Sequence, residues 1–521
     1  MKSVLCLVAL AFVLVMSGYS QAATVQKQSS ATFSYWVQLN AAHVEILKNW
    51  NDTASMKEFE KKTGVHMNFI HPPVGQEVQS FNLMLASGDL PDMIQEREGN
   101  LYYPGGPDKA VSDGVYLDLT KLIDQYAPNY KKWLAKNDDI ARLTVTDTGK
   151  RWGIYHVTDG AEPAWTGYAI RKDWLDDLGL KAPVTLDDWR TVLKAFKEKK
   201  NAEAPLLVFN TGVPAYNHII SAFDIGGAFY QVKGKVSFGP IQPAYRDYLA
   251  LMNQWYKEGL LDPDFMGRTD PGFQFNAPIN LVATGKSGLF PIIWGRAANA
   301  YVLRGDVKNN PAYYLQAVQA PKKTAGQQIH LNYASYEVRE AVAITKACKD
   351  PIAAVKYLDQ MFSTEGSLII NYGAEGDSFT MKNGVPIFTE KVTKPAGGLT
   401  AQQSLAKTVR WDGPGVVDYK RMWQVYEASG QGAMLKALQV WEKDDISYVL
   451  SPVTMNQTEA IENSNIMPDI TTYVTEMTVK FIIGREPLAN FPAFVKQINS
   501  MKIDRAIQIQ QAALDRFNAR K

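Results

Sequence analysis

Two carboxylates three residues apart, Asp89 and Asp92 in "FNLMLASGDLPDMI" (residues 81–94), raise the first question of chemistry. Acidic side chains that converge on one cleft can donate and accept protons on either side of a scissile bond. The same stretch also carries strong punctuation. Gly88 suits a helix stop, Asp89 a turn, and Pro91 forbids helix continuation. Val78, Phe81, Met84 and Leu85 stand at helical spacing before Gly88, and "LPDMIQE" then restarts as a strand. The pattern favours punctuation over catalysis, and moves any ligand contact to Gln95 and Arg97, where that strand should reach a cleft.

Other reactive motifs are weaker. "GKSG" (285–288) resembles the end of a phosphate-binding loop, but such a loop needs a Gly where this chain has Asn280. Neither a G-x-S-x-G elbow nor an H-E-x-x-H motif is present. His66 and His71 flank a strand end without a companion carboxylate at ligand spacing, so no metal or other cofactor is expected.

Aromatic faces offer a different chemistry. A sugar ring has an apolar face, which aromatic rings cover, and a rim of hydroxyls, which Arg, Asp, Asn and Gln answer. Tyr35 and Trp36 end the first strand, beside the switch region where open α/β sheets bind ligands. Trp165 and Tyr168 stand in "EPAWTGYAIRKDW", near an expected crossing between lobes. Trp294 ends the apolar run "LFPIIWGR" and is followed by Gly295 and Arg296; Trp411 lies in the Gly-rich "RWDGPG". For a single Trp the core is a strong competing reading, but the position of Trp294 favours ligand contact. Arg97, Arg171, Lys286 and Arg296 would suit an acidic sugar, or else be paired or solvated.

The elements that position these residues begin with "TFSYWVQLN" as a strand, "SMKEFEKKTG" as a helix stopped at Gly64, and "VHMNFI" as a second strand. The helix before Gly88 and the strand after it complete a β-α-β-α-β order, which predicts an α/β fold with a doubly wound, mostly parallel sheet flanked by helices. "WGIYHV", "PLLVF", "SGLFPIIW" and "EAVAITK" read as further strands, and the last sixty or so residues as helices. A chain of 521 residues is natural for two lobes. Net charge is +2, from 55 basic and 53 acidic side chains, which excludes an electrostatic footprint for nucleic acid. The start "MKSVLCLVALAFVLVMSGYSQAAT" has a positive residue, an apolar run and a small-x-small site, so a signal peptide over 1–22, cleaved near Ala22, is expected. Cys6 lies inside that leader, too early for lipid attachment, and Cys348 stands alone, so neither a lipid anchor nor a disulfide is expected.

"NLMLASGDLPDMI", "LTKLIDQYAPNYKKW", "GYAIRKDWLDDLGLKAPVTLDDW", "TEGSLIINYGAEGDSF" and "EMTVKFIIGREPL" resemble the extracellular solute-binding proteins of carbohydrate ABC importers, in the branch of LipO-like and alginate-oligosaccharide-binding proteins. The resemblance implies a two-lobed periplasmic-binding-protein fold with a helical C-terminal extension, and a monomeric receptor that closes on an oligosaccharide and delivers it to membrane permease subunits. It implies an N-terminal lobe of 23–160 and 338–390 and a C-terminal lobe of 161–337 and 391–521. Trp294 matches the cleft tryptophan of maltose- and alginate-type receptors, and Tyr168 the segment leading into the second lobe. Where many relatives hold calcium in a D-P-N-x-N-G loop, this chain has "KEKKNAEAPLL", and Asn201 with Glu203 cannot supply six oxygens. The competing classes are an exported glycosidase or lyase, and a receptor for peptides or other small solutes.

Overall fold

The computed structural model describes residues 31–520 except 40, 98–101, 137, 159–165, 210–217, 269–280, 283, 294–314, 332–337 and 429–432. The expected signal peptide lies outside these residues. Nine strands build the two main sheets: β1 Thr32–Trp36, β2 His66–Ile70, β3 Met93–Arg97, β4 Gly153–Thr158, β5 Thr166–Arg171, β6 Leu289–Ile293, β7 Leu315–Val318, β8 Val338–Ile344 and β9 Gly415–Val417. The first sheet has the order β9-β4-β8-β3-β1-β2. Helix α1 (Ala54–Thr63) leads from β1 to β2, and α2 (Glu77–Ser87) from β2 to β3.

Local chemistry explains both helices. Thr53 Oγ1 accepts from Met56 N and opens α1, and Gly64 closes it in the left-handed conformation at φ 68°. In α2 only Phe81 is buried, and Gly88, at φ 73°, donates its N–H to Met84 O and Leu85 O. Asp89 is exposed in the turn that follows. Asp92 is structural. Its Oδ2 accepts from Ser34 N and Ser34 Oγ, both at 2.8 Å, and its own N–H donates to Ser34 Oγ at 2.9 Å, so it sews β3 to β1.

β1 is parallel to β2 and β3, and β4 to β9, but β8 is antiparallel to both β3 and β4. In the second sheet, ordered β6-β5-β7, both pairings of β5 are antiparallel. The expected mostly parallel character therefore needs correction there. β5 follows the chain's departure from the first sheet and β8 its return. A strand fed from the other core runs against neighbours laid down by local βα units. "PLLVF" contributes only isolated bridges from Leu206 to Leu261 and Leu289, both parallel.

The first core collects Tyr35, Trp36, Trp50, Phe59, Phe81, Ile94 and Val342 among others. A second gathers around helices α3 (Leu186–Lys200) and α4 (Pro243–Lys257), with Tyr168, Trp189 and Trp255 inside it. A third packs Phe379, Phe388 and Leu405 of α5 (Ala401–Thr408) against Phe290 and Ile292 of β6. Phe379 and Phe388 of a hairpin are buried in this third core, while β9 pairs with β4 in the first sheet. The C-terminal helices are α6 (Gln457–Ile483), α7 (Phe491–Ser500) and α8 (Ile503–Ala519). Asn253 Nδ2, on α4, donates to Phe481 O and Ile482 O, satisfying carbonyls in the last turn of α6. Among the described residues no helix is long and apolar enough to cross a membrane.

Candidate functional site

The first sheet reverses direction of growth at β1. The chain places β2 on one side of it and β3 on the other, so the connections after β1 and β3 part at the C-terminal edge and leave a crevice. Side chains alternate along β3. Gln95 and Arg97 therefore share the face of Tyr35, while Glu96 points to the opposite face.

A polar network lies under that edge. Tyr35 Oη donates to Gln95 Oε1 at 2.7 Å, and burial pushes this hydroxyl up to about 12, so it stays a donor. Arg410, buried, arrives on the loop after α5 and donates from Nη2 to the same Gln95 oxygen and to Tyr35 Oη at 3.4 Å. Its guanidinium carbon sits 5.1 Å from the ring centre of Tyr35 and 5.4 Å from those of Trp50 and Phe69. Aromatic faces thus carry part of the burden of a buried charge. Gln95 Nε2 donates to Asp412 O at 2.6 Å, and Arg410 Nε reaches Asp412 Oδ1 at 3.3 Å.

Half-buried Trp411 stands beside this network, edge-on to His43 at 4.9 Å; His43 in turn meets Trp50 at 4.6 Å. Burial lowers the His43 imidazole to about 4, so it is neutral at ordinary pH. Further along the edge Glu340 of β8 lies 3.7 Å from Arg97 and 3.6 Å from His156. The Arg97 side chain is 48% exposed, which leaves most of its donor fork available to a ligand.

The sequence-derived candidates separate into three groups. Gln95, Arg97, Tyr35 and Trp411 gather at this edge, although Tyr35 is wholly buried and acts through its hydroxyl. Trp36 and Tyr168 are placed in cores instead. Trp36 faces the other side of the sheet, 5.3 Å from Tyr102, and Tyr168 packs edge-on to Trp189 at 4.9 Å. Both are large rings that are themselves buried, so neither face is available to a ligand. Trp165, Trp294 and Arg296 lie outside the described residues. β6 ends at Ile293, opposite Thr166 where β5 begins.

Arg171 donates to both oxygens of Asp173, and Lys286 pairs with Glu203, so both cations have carboxylate partners. Asn201 closes α3 in the left-handed conformation, and no group of three or more His, Cys, Asp or Glu among the described residues could hold a metal ion. Arg410, His43, His156, Asp412 and Glu340 were not anticipated. "RWDGPG" held the available signal, a cation and an aromatic ring ahead of a Gly-Pro-Gly turn.

The family model for bacterial extracellular solute-binding proteins matches residues 48–367. The chain belongs to that family. This solute-binding protein is 25% identical to Lipoprotein LipO of Bacillus subtilis over 354 residues, 65% of this chain and 66% of LipO. It is 26% identical to the fructooligosaccharide ABC transporter substrate-binding protein FusA of Streptococcus pneumoniae over 355 residues, 63% of this chain and 61% of FusA. It thus spans just under two thirds of the length of both relatives. A crystal structure of the alginate-binding protein AlgQ2 without calcium ion superposes with a TM-score of 0.65 at 26% identity, covering 93% of this chain and 98% of that one. The fold is the two-lobed one of solute-binding proteins, and FusA among the relatives is by name an ABC transporter substrate-binding protein.

Proposed function

We propose that the chain is the receptor of an ABC importer, which captures an oligosaccharide at the C-terminal edge of the first sheet by lobe closure and passes it to the permease subunits. The crevice carries this reading: half-exposed Arg97 lies two residues beyond Gln95 on β3, and half-buried Trp411 sits between Arg410 and Asp412, so both adjoin the braced polar network at the switch point of the sheet. Trp411 suits the apolar face of a sugar and Arg97 its hydroxyls or a carboxylate. Trp294, Trp165 and Arg296 remain candidates for the opposing wall. A ligand that touches both lobes favours the closed state by its differential affinity.

The edge carboxylates support binding rather than catalysis. Glu340 lies between Arg97 and His156, and Asp412 pairs with Arg410, so neither is poised as a free acid opposite a free base. FusA is a fructooligosaccharide protein and AlgQ2 an alginate-binding one, so both neutral and acidic sugars belong in the test. In this reading the protein is exported behind a signal peptide cleaved near Ala22, and works as a periplasmic monomer free of lipid.

Thermal shift and tryptophan fluorescence against kestose, maltotriose, trigalacturonate and an alginate trisaccharide test the proposal, with the same mixtures assayed for product. Saturable stabilisation is expected with at least one sugar, about 2.7 kcal/mol at a hundredfold excess over Kd, and with no turnover. Product formation, or no response to any sugar, overturns the reading.

A further inference from the structure

The loop 409–414 follows α5, whose Leu405 is buried in the third core with Phe290 and Ile292. The loop keeps an apolar hold on the third core, where Val409 is buried and Trp411 packs, yet its polar attachments run to the first sheet. Gln95 Nε2 donates to Asp412 O, His156 Nδ1 donates to Gly413 O at 3.1 Å, and the next residues pair with β4 as β9. Arg410 goes furthest, entering the first core to reach side chains on β1 and β3 and lying among Tyr35, Trp50 and Phe69.

We propose that Arg410 is a positioning residue: it ties the loop to β1 and β3 and so fixes the setting of Trp411 at the crevice. The inference rests on the sugar-receptor reading and adds to it the residue that holds the sugar-facing ring in place. Trp411 packs against the third core on one side and meets His43 edge-on at the other, and the Arg410 tie holds the ring in that setting. The guanidinium is specific to this task. Its planar fork meets Gln95, Tyr35 and Asp412 at once, whereas a lysine ammonium is a point charge on a flexible stem. Withdrawing a cation from a buried aromatic setting is costly, so the anchor resists swinging.

Fluorine NMR of fluorotryptophan-labelled full-length protein tests this, with the Trp411 resonance assigned through Trp411→Phe. In Arg410→Lys the Trp411 signal should shift and broaden while that of Trp255, buried in the second core, stays in place. Affinity for whichever of kestose or trigalacturonate binds should fall about tenfold in Arg410→Lys, matching Trp411→Ala. The double variant should be no weaker than Trp411→Ala alone, the non-additivity expected of two residues acting as one unit. Gln95→Met, which cuts the same tie while leaving the guanidinium itself in place, should act in the same direction. An unchanged Trp411 signal in both variants, or losses that simply add, overturns the proposal even where melting temperatures fall. Failure of every sugar to bind the wild type sinks the receptor reading instead, and the resonance still decides whether Arg410 positions Trp411.

Discussion

Glu96 and His43 titrate in opposite senses on opposite faces of one sheet. Burial raises the Glu96 carboxyl to about 7, against the donors Tyr116 Oη and Tyr102 N, each at 2.5 Å, which favour ionisation. Its contribution to stability is full below its unfolded value near 4.5 and is lost as pH rises through about 7. The His43 contribution is full above about 6.5 and is lost as pH falls through about 4. Glu96→Gln keeps an acceptor and removes the proton equilibrium. It should therefore abolish roughly 1–3 kcal/mol of the stability lost between about pH 5 and pH 8. Chemical denaturation of wild type and variant across that range reads the difference; parallel curves would show that Glu96 does not titrate in the native state.

Two glycines set the predictions at the scale of elements. Gly88 has open space around a built Cβ but a positive φ, so Gly88→Ala should cost only about 1 kcal/mol of backbone strain. Gly167 on β5 has the reverse problem. A Cβ there would stand 2.3 Å from the Trp441 ring, whose Nε1 donates to Tyr168 O and Val318 O and so pins the indole across the second sheet. Gly167→Ala should cost about 1–3 kcal/mol or more, by overpacking, and urea midpoints should order the two variants accordingly. The element level is also where the sequence is most legible. α1, α2 and the first three strands follow from apolar period and from Gly64 and Gly88, and the switch-point crevice follows from their order. The antiparallel β5 and β8 do not, because strand direction depends on where the chain comes from. The Arg410 anchor was equally hidden, since Gln95 and Arg410 lie 315 positions apart and no local pattern joins them. Tyr168 is buried in the second core, and an aromatic ring near a crossing has the same local sequence as one in a core.

At the scale of the whole molecule, the C-terminal helix braces elements that are distant in sequence. Asp147, in the turn before β4, accepts from Arg516 Nε at 2.8 Å and from Arg520 Nη2 at 2.7 Å, and Arg516 also binds Glu459 at the start of α6. Leu143 packs against both the first core and the cluster of Leu514 and Phe517. The Asp147 side chain is only 14% exposed, so screening by solvent is limited. Asp147→Ala leaves Arg520 without its carboxylate partner and Arg516 with Glu459 alone, and should lower stability by about 2–4 kcal/mol. Hydrogen exchange should show the loss in α8 before it reaches β1–β3; uniform loosening would mean that the ion pairs do not brace the helix.

The central place of β8 has a consequence for the order in which the chain is made. Val338–Ile344 lies between β3 and β4, so everything synthesised before residue 338 holds two unfinished sheet edges with no strand to join them. Bare edges pair with other chains as readily as with their own missing strand. The first lobe therefore cannot complete itself from the N-terminus onward, and its late, long-range closure makes for slow folding and a sticky nascent intermediate. A fragment ending before β8 is a template for aggregation, and the returning segment is the piece that silences it.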